Sequence, residues 1–329
     1  MPTPADARAA WPRRLVCVSV NAAIDKTAAV PRLVPGEIHR PEMLSVLPGG
    51  KALNVARAAR TLGLDATVVA VLGGHAGDWM AEALAARGIP TRAIRVDGET
   101  RTCLSILDRA TGSLTEFYEA GLTLRPAGWS SVEEAVRAEL ADDPGGALVV
   151  VAGSLPPGAP HDGCALLAAV AAGAGARAVV DVDGAHLAAA LEARPWLVKV
   201  NAREAGAATG IPTGDEAGSL QAAAALRARG AVVAAVTRGA SGAVLVDDEG
   251  SAWRIGPPPE TGPYVVGSGD AFLAGLAAGL AAGHPLPEAA RLGAAAACAN
   301  ALRPGQGELD PADVARVTPG VTIAPARLA

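Results

Sequence analysis

The sequence predicts an α/β protein: one large domain on a mostly parallel sheet, with a small β-sheet lid beside it. Three observations carry this. Short β-branched runs alternate with alanine- and leucine-rich helical stretches, which is the pattern of βαβ units. Several runs end directly in polar or glycine residues, as strands feeding a ligand cleft do. Two segments, about 26–47 and 91–119, break the alternation and read as antiparallel insertions that form the lid.

Taken in order, the opening MPTPADARAAWPRR places its charges after a short alanine-rich run and has no long apolar core. It reads as a loose tail over residues 1–14, unlike a secretory signal, ahead of a domain spanning 15–320. LVCVSV is the first strand, followed by Asn21 and Asp25; ATVVAVLG is the next in the parallel set. TRTCLSILDRATGSLTEFYEAG reads as a β-hairpin around Thr111 and Gly112. ALVVVAG ends in Gly153 and Ser154, ARAVVDV carries Asp181 and Asp183, WLVKV leads into Asn201, and AVVAAVT leads to Gly239. In open α/β sheets ligands sit outside the carboxyl ends of the strands, so these residues can line one cleft.

Composition narrows the function classes. A chain of 329 residues, 50% hydrophobic, can bury a large core. The net charge of −5 and the lack of a basic block argue against nucleic acid or an anionic membrane as partner. Alanine-rich runs are interrupted by Arg and Gly, so none reads as a membrane span. Cys17, Cys103, Cys164 and Cys298 lie far apart with no CxxC pair, which predicts reduced, mostly buried thiols and a cytoplasmic location rather than a zinc site or disulfide framework.

Two glycine clusters carry the chemistry. In VVGSGDAFLAGLAAGL, Gly267 and Gly269 bracket Ser268 at a helix start, where free N–H groups converge on anions. An acid there often caps the helix, but with a phosphate on those donors Asp270 is available to take a proton from a substrate hydroxyl. In LPGGKALNVARAARTLG, Gly49 and Gly50 admit a ligand close to the backbone, while Lys51 and Asn54 supply a cation and a side-chain amide. Neither cluster fits the Walker A or dinucleotide frame. The two together suggest phosphoryl transfer to a hydroxyl.

These stretches resemble the two signatures of the ribokinase-like PfkB family of sugar kinases. VNAAIDKT, PGEIHR, ETRTCLSI, VAGSLPPG, VKVNAREAG and VTRGASGAVLV follow the family's order and spacing, so the likeness covers residues 15 to about 315. NAAIDKT, GGKALNVA and AGSLPPG are most similar to the branch of 1-phosphofructokinases, tagatose-6-phosphate kinases and the minor 6-phosphofructokinase. The resemblance implies a three-layer α/β/α fold and a kinase using ATP and Mg2+ on a phosphorylated ketohexose. It implies Asp270 as catalytic base, with the amides of Gly267, Ser268 and Gly269 as anion hole. Asn201 and Glu204 match the family's Asn-x-x-Glu element, which positions magnesium and nucleotide phosphates largely through water. Lys199, Thr237 and Gly239 are implied to face the ATP phosphates, and Asn300 to lie in the helix flanking the adenine pocket. Asp25, Gly49, Gly50 and Asn54 are implied to hold sugar hydroxyls, and Lys51, Arg101 and Ser154 a phosphate already on the sugar.

The chain also departs from the family pattern. Ala52 replaces a usual glycine, Tyr264 and Val265 stand where a polar residue or threonine is common before VGSGD, Ala152 replaces a serine, and Tyr118, Glu119, Ala120 and Gly121 stand where Asn-Glu-Pro-Gly is common. None removes a catalytic group, but they bear on the sugar. Competing readings are a kinase for an unphosphorylated sugar or nucleoside, and a non-catalytic sugar or nucleotide sensor on the same fold. For Arg101 the competing reading is an ion pair with Glu99 or Glu119. The exposed β edge of the lid predicts pairing with a second copy, giving a homodimer.

Overall fold

The computed structural model describes residues 11–328. After β1 (Arg14–Ser19) come β2 (Ala23–Val30), β3 (Glu42–Gly49), α1 (Lys51–Thr61), β4 (Asp65–Leu72), α2 (Gly74–Ala86) and β5 (Thr91–Arg95). The chain continues through β6 (Arg101–Asp108), β7 (Leu114–Tyr118), α3 (Pro126–Leu140), β8 (Ala147–Ala152), α4 (Gly163–Ala174), β9 (Arg177–Asp181) and α5 (Gly184–Glu192). Then follow β10 (Leu197–Asn201), α6 (Ala202–Thr209), α7 (Glu216–Ala228), β11 (Val233–Thr237), β12 (Ala243–Val246) and β13 (Ala252–Ile255). The last elements are α8 (Ser268–Ala281), α9 (Leu286–Ala301), α10 (Pro311–Val317) and β14 (Ile323–Ala326).

Ten strands form one sheet in the order β14-β13-β12-β11-β10-β9-β8-β1-β4-β5. From β5 to β11 the pairs are parallel, and β12, β13 and β14 add antiparallel strands at one edge. Each predicted β-branched run is one of the parallel strands. Their side chains alternate between two apolar layers: Leu15, Cys17, Leu148 and Val150 face one, Val16, Val18, Val149 and Val151 the other. A sheet covered on both faces explains why these strands are continuously hydrophobic. Helices α1, α2, α8 and α9 cover the first layer, and α3, α4, α5 and α7 the second, giving the three-layer architecture. Small residues let α8 and α9 pack closely: a Cβ on Gly275 would lie 2.7 Å from the Leu292 carbonyl oxygen.

The separate sheet has the order β3-β2-β6-β7. Its bounds correct the expected lid segments. Residues 91–95 are not part of it; β5 pairs in parallel with β4 at the edge of the large sheet, where Ile94 packs on the apolar layer. The return through α2 places that strand beside β4, as a βαβ crossover does, so the second inserted segment starts at Arg101. The first begins earlier than expected, at Ala23, and runs to Gly49. The turn around Thr111 and Gly112 does join an antiparallel pair, β6 and β7.

Of the expected loose tail, residues 1–10 lie outside the described residues, while 11–14 are anchored. Trp11 meets Trp196 edge-on with centroids 4.8 Å apart, and the Arg177 guanidinium sits 4.2 Å over the Trp11 ring. Arg13 pairs with Asp143, and Arg14 opens β1. Among the described residues no helix is long and apolar enough to cross a membrane, and all four cysteines are buried and free.

Candidate active site

A cavity of about 600 Å³ opens at the carboxyl ends of the parallel strands, between the small sheet and the α8–α9 pair. Every residue given a catalytic or binding role from the sequence lines it except Gly49 and Asn300, and Asp181, expected among the strand-end residues of the cleft, does not line it either. The chemistry gathers where the N-termini of α1, α6 and α8 meet the ends of β9 and β10.

Asp270 lies in the first turn of α8 and is buried. Its Oδ2 accepts a hydrogen bond from Asn54 Nδ2 at 2.9 Å. Burial, reinforced by the nearby Asp181 carboxylate, pushes its pKa up to about 7 against the pull of Lys199, Lys51 and Asn54. Asp181, at the end of β9, is fully buried behind the cavity wall. It accepts from Lys199 Nζ and, at 3.0 Å, from Lys51 Nζ. Burial alone would raise its pKa, but the two ammonium groups outweigh burial and hold it below the ordinary carboxylate range. Lys51 in turn is raised chiefly by Asp181, with burial opposing.

Lys51 is therefore not the free cation that its place in a glycine-rich turn suggested. It is bonded to Asp181 and lies 4.0 Å from Glu204 Oε1. Asn201 and Glu204 form a reciprocal capping box at the start of α6: Glu204 N–H donates to Asn201 Oδ1, and Asn201 N–H to Glu204 Oε2, both at 2.9 Å. That leaves Glu204 Oε1 toward the cavity. Thr237, at the end of β11, and Gly239, with φ at 58°, line the same wall.

Of the three amides expected to form an anion hole, those of Gly267, Ser268 and Gly269, one is already bonded. Ser268 N–H donates to the Val265 carbonyl at 3.2 Å. Helix geometry leaves the Gly269 and Asp270 N–H groups without intrahelical acceptors, and no side chain caps this end. Gly267 precedes them in a left-handed conformation, φ 83°, where a Cβ would lie 2.8 Å from Gln306 Cα. Gly269 is required for a reason the sequence did not suggest: a Cβ there would lie 2.7 Å from Lys199 Nζ.

Asn300 does not reach the cavity. It is fully buried, and its Nδ2 donates to the carbonyls of Tyr264 and Val266 and to Ser268 Oγ, while its Oδ1 accepts from Gly307 N–H at 2.7 Å. It braces the loop before α8 against the 305–307 turn. The face of α9 that lines the cavity is Ala294, Ala297, Cys298 and Ala301.

On the opposite side, Asp25 of β2 accepts from Gly50 N–H at 3.2 Å. Burial, countered by that bond and by Arg57 and Arg101, pushes its pKa up to about 6. Gly49 lies so close to the Asp25 carboxylate that a side chain there would collide with it. Arg101, the first residue of β6, donates to the backbone carbonyls of Asn21, at 3.1 Å, and Glu119, at 3.3 Å. Neither carboxylate of the competing reading holds it: Glu119 accepts from Thr102 N–H and Glu99 from Ala76 N–H. The Arg101 Nε is buried without a partner. Beside it, Asn21 Nδ2 donates to Ser154 Oγ at 2.9 Å.

Sequence reading missed Arg57, Gln306 and the role of Asp181. Asp181 stood in the strand-end pattern, which is a usable signal. Arg57 looked like an ordinary polar residue on an amphipathic helix, and Gln306 sits in no motif.

An anion held on free helix amides and a hydroxyl facing a carboxylate base are the two halves of phosphoryl transfer to an alcohol, so the fold and site define a phosphotransferase with an alcohol acceptor. Residues 13–313 match the pfkB family of carbohydrate kinases, and the chain belongs to that family. It is 39% identical to a 1-phosphofructokinase of Xanthomonas campestris pv. campestris, over 92% of this chain and 93% of that one. It is 31% identical to an ATP-dependent 6-phosphofructokinase isozyme 2 of Mycobacterium tuberculosis, over 94% and 91%. The tetrameric inhibited form of phosphofructokinase-2 from Escherichia coli superposes with a TM-score of 0.83 at 29% identity, covering 93% of this chain and 98% of that one.

The raised pKa of Asp270 has a sign that can be tested. Between its ordinary value of 3.8 and about 7 the folded state binds this proton more tightly than the unfolded chain. The stabilising contribution is full at low pH and is lost as pH rises through about 7. Asp270→Asn removes that dependence. The variant should therefore gain on the wild type by on the order of 1 kcal/mol or more between pH 5 and 8 in urea unfolding. A constant difference across that range would contradict the buried, near-neutral carboxyl.

Proposed function

We propose that the protein is an ATP-dependent kinase of a phosphorylated ketohexose, with Asp270 as the catalytic base. Fructose 1-phosphate is the leading acceptor, because relatives at 39% and 36% identity are 1-phosphofructokinases; fructose 6-phosphate and tagatose 6-phosphate are the others. The observation that carries a phosphorylated acceptor is Arg101, which lines the cavity beside Asn21 and Ser154 and among the described residues is bonded only to backbone carbonyls, with no carboxylate paired to it. A guanidinium suits a phosphate, and a neutral acceptor gives it nothing to bind.

The site's chemistry fits the nucleotide and its metal. Among the described residues no cluster of three or more His, Cys, Asp or Glu side chains is gathered for a metal. Magnesium would rest on Glu204 Oε1, water and the nucleotide phosphates, the water-rich oxygen shell that it prefers. When bound, Mg2+-ATP supplies the phosphoryl group and offsets its charge. Lys199 and Thr237 with Gly239 line the wall for the phosphates, and the alanine face of α9 offers a flat apolar surface to the base.

On the acceptor side, Asp25, Gly50 and Asn54 hold sugar hydroxyls, and Arg101 and Ser154 take the phosphate that the sugar already carries. Lys51, bonded to Asp181, stays next to Asp270 and Glu204 and meets charge near the reacting hydroxyl. Asp270 accepts the hydroxyl proton as the oxygen attacks in line, and the Gly269 and Asp270 amides at the start of α8 stabilise charge on the transferring group. Closure of the small sheet over the sugar excludes water. The partner is a second copy of the chain. Ile38, Met43, Phe117 and Tyr118 of the small sheet and its loops are exposed, and β3 and β7 are its free edges, a surface suited to twofold pairing. Light scattering should give a dimer mass at assay concentration, and a fully active monomer would remove the pairing.

Asp270→Asn should keep ATP and sugar binding within a few-fold while turnover falls by roughly two to four orders of magnitude, the scale of a positioned base. Near-normal turnover in a coupled ADP assay would place the base elsewhere. Arg101→Ala should weaken sugar-phosphate binding by about 1–3 kcal/mol and leave ATP affinity and the weak reaction of free fructose little changed. Equal losses for fructose 1-phosphate and free fructose in steady-state kinetics would sink the phosphosugar assignment and favour a free-sugar or nucleoside kinase.

A further inference from the structure

Arg57, one turn beyond Asn54 on α1, is a buried cation near the site, only 4% exposed, as Lys199 is. Burial pushes its pKa down to about 10 despite the attraction of Glu308 and Asp25. A charge kept in so dry a place is costly unless its fork is used. Both Nη groups are, while the buried Nε has no hydrogen-bond partner. Nη1 donates to Asn54 Oδ1 at 3.2 Å and to the Gln306 carbonyl, and Nη2 donates to the Pro48 carbonyl. Glu308 lies 3.6 Å from Nε.

These bonds have two consequences for Asp270. The first concerns the Asn54 amide, whose oxygen and nitrogen ends are nearly equal in shape. A guanidinium can only donate, so it holds the oxygen end of Asn54 on its own side and turns the NH2 end toward Asp270 Oδ2, 2.9 Å away. With the amide reversed, its oxygen would face the carboxylate and repel it. The second concerns distance. Pro48 precedes the glycine pair that contacts Asp25, and Gln306 backs Gly267 at the start of α8. Gly307 is pressed equally close to α1, where a Cβ would lie 2.5 Å from the Asn54 carbonyl oxygen. One guanidinium thus ties the acceptor-side turn to the loop behind the base.

We propose that Arg57 is a positioning residue for phosphoryl transfer, which orients the Asp270 carboxylate through Asn54 and holds the Pro48–Gly50 turn at a set distance from the N-terminus of α8. It does not line the cavity. The proposal rests on the reading of Asp270 as the base.

The test uses the full chain with whichever of fructose 1-phosphate, fructose 6-phosphate and tagatose 6-phosphate the wild type turns over best. Arg57→Met should lower kcat by about 10- to 100-fold, the usual result of misplacing a reacting group by a fraction of an ångström to one ångström, with both KM values within a few-fold. In an Asn54→Ala background the same change should cost clearly less in kcat than it does in the wild type, because one of the two links through which it acts is already gone. Arg57→Lys, which keeps the charge but cannot serve all its acceptors, should fall in between. It decides the matter if Arg57→Met does not fold. Folded Arg57 variants with wild-type kcat, or losses for Arg57 and Asn54 that multiply, would overturn the proposal. An active Asp270→Asn would instead overturn the reading beneath it, so the two failures are distinct.

Discussion

Two carboxylates buried in each other's field, Asp181 and Asp270, set the terms for this site. Both cannot carry an uncompensated charge in a dry pocket. The structure resolves the conflict by treating them unequally. Lys199 and Lys51 both bond Asp181, whereas Asp270 accepts from the neutral Asn54 amide. One carboxylate is thereby locked ionised and the other is lifted to near neutrality, which divides the labour between chemically identical groups. Asp181 becomes a fixed anion that holds two cations. Asp270 is left with a proton affinity matched to taking and releasing a proton.

The close approach of these charges dictates where side chains are forbidden. Lys199 reaches the start of α8 because residue 269 is glycine, and the turn at Gly267 lies against Gln306 for the same reason. The glycine-rich signature therefore serves packing, whatever it binds. Asn300 and Arg57 then lock the two sides of the pocket from behind, each engaging backbone groups of loops that would otherwise be held only by their own turns.

The two sheets divide the remaining work. Asp181 and Lys199 come from strands covered on both faces and Asp270 from a helix buried among apolar neighbours, the rigid setting that a reacting group needs. Asp25 and Arg101 come from the small sheet, which leaves Ile38, Met43 and Phe117 exposed around it. On the proposed reading, Asp25 and Arg101 meet the acceptor from the small sheet, whereas Asn54, Ser154 and Asp270 meet it from the large domain. The departures from the family pattern at Tyr118 and Glu119 fall at the end of β7 in the small sheet, and those at Tyr264 and Val265 just before α8.

The alternation of β-branched and alanine-rich segments was enough to place the parallel strands, because a strand buried on both faces has a composition that depends on little else. The glycine clusters located the N-termini of α1 and α8, because a backbone close to a ligand or a neighbour excludes side chains wherever it occurs. The strand at 91–95 was misplaced since a short polar-apolar run fits either sheet, and only the crossover through α2 decides which. The pairings that define the site were beyond local reading: Lys51 with Asp181 is 130 residues apart in sequence, Asn54 with Asp270 is 216, and Arg57 with Gln306 is 249. Periodicity and spacing report what each segment can do alone. Which lysine is bonded, which amides are free and which arginine is buried depend on what the folded chain brings opposite them.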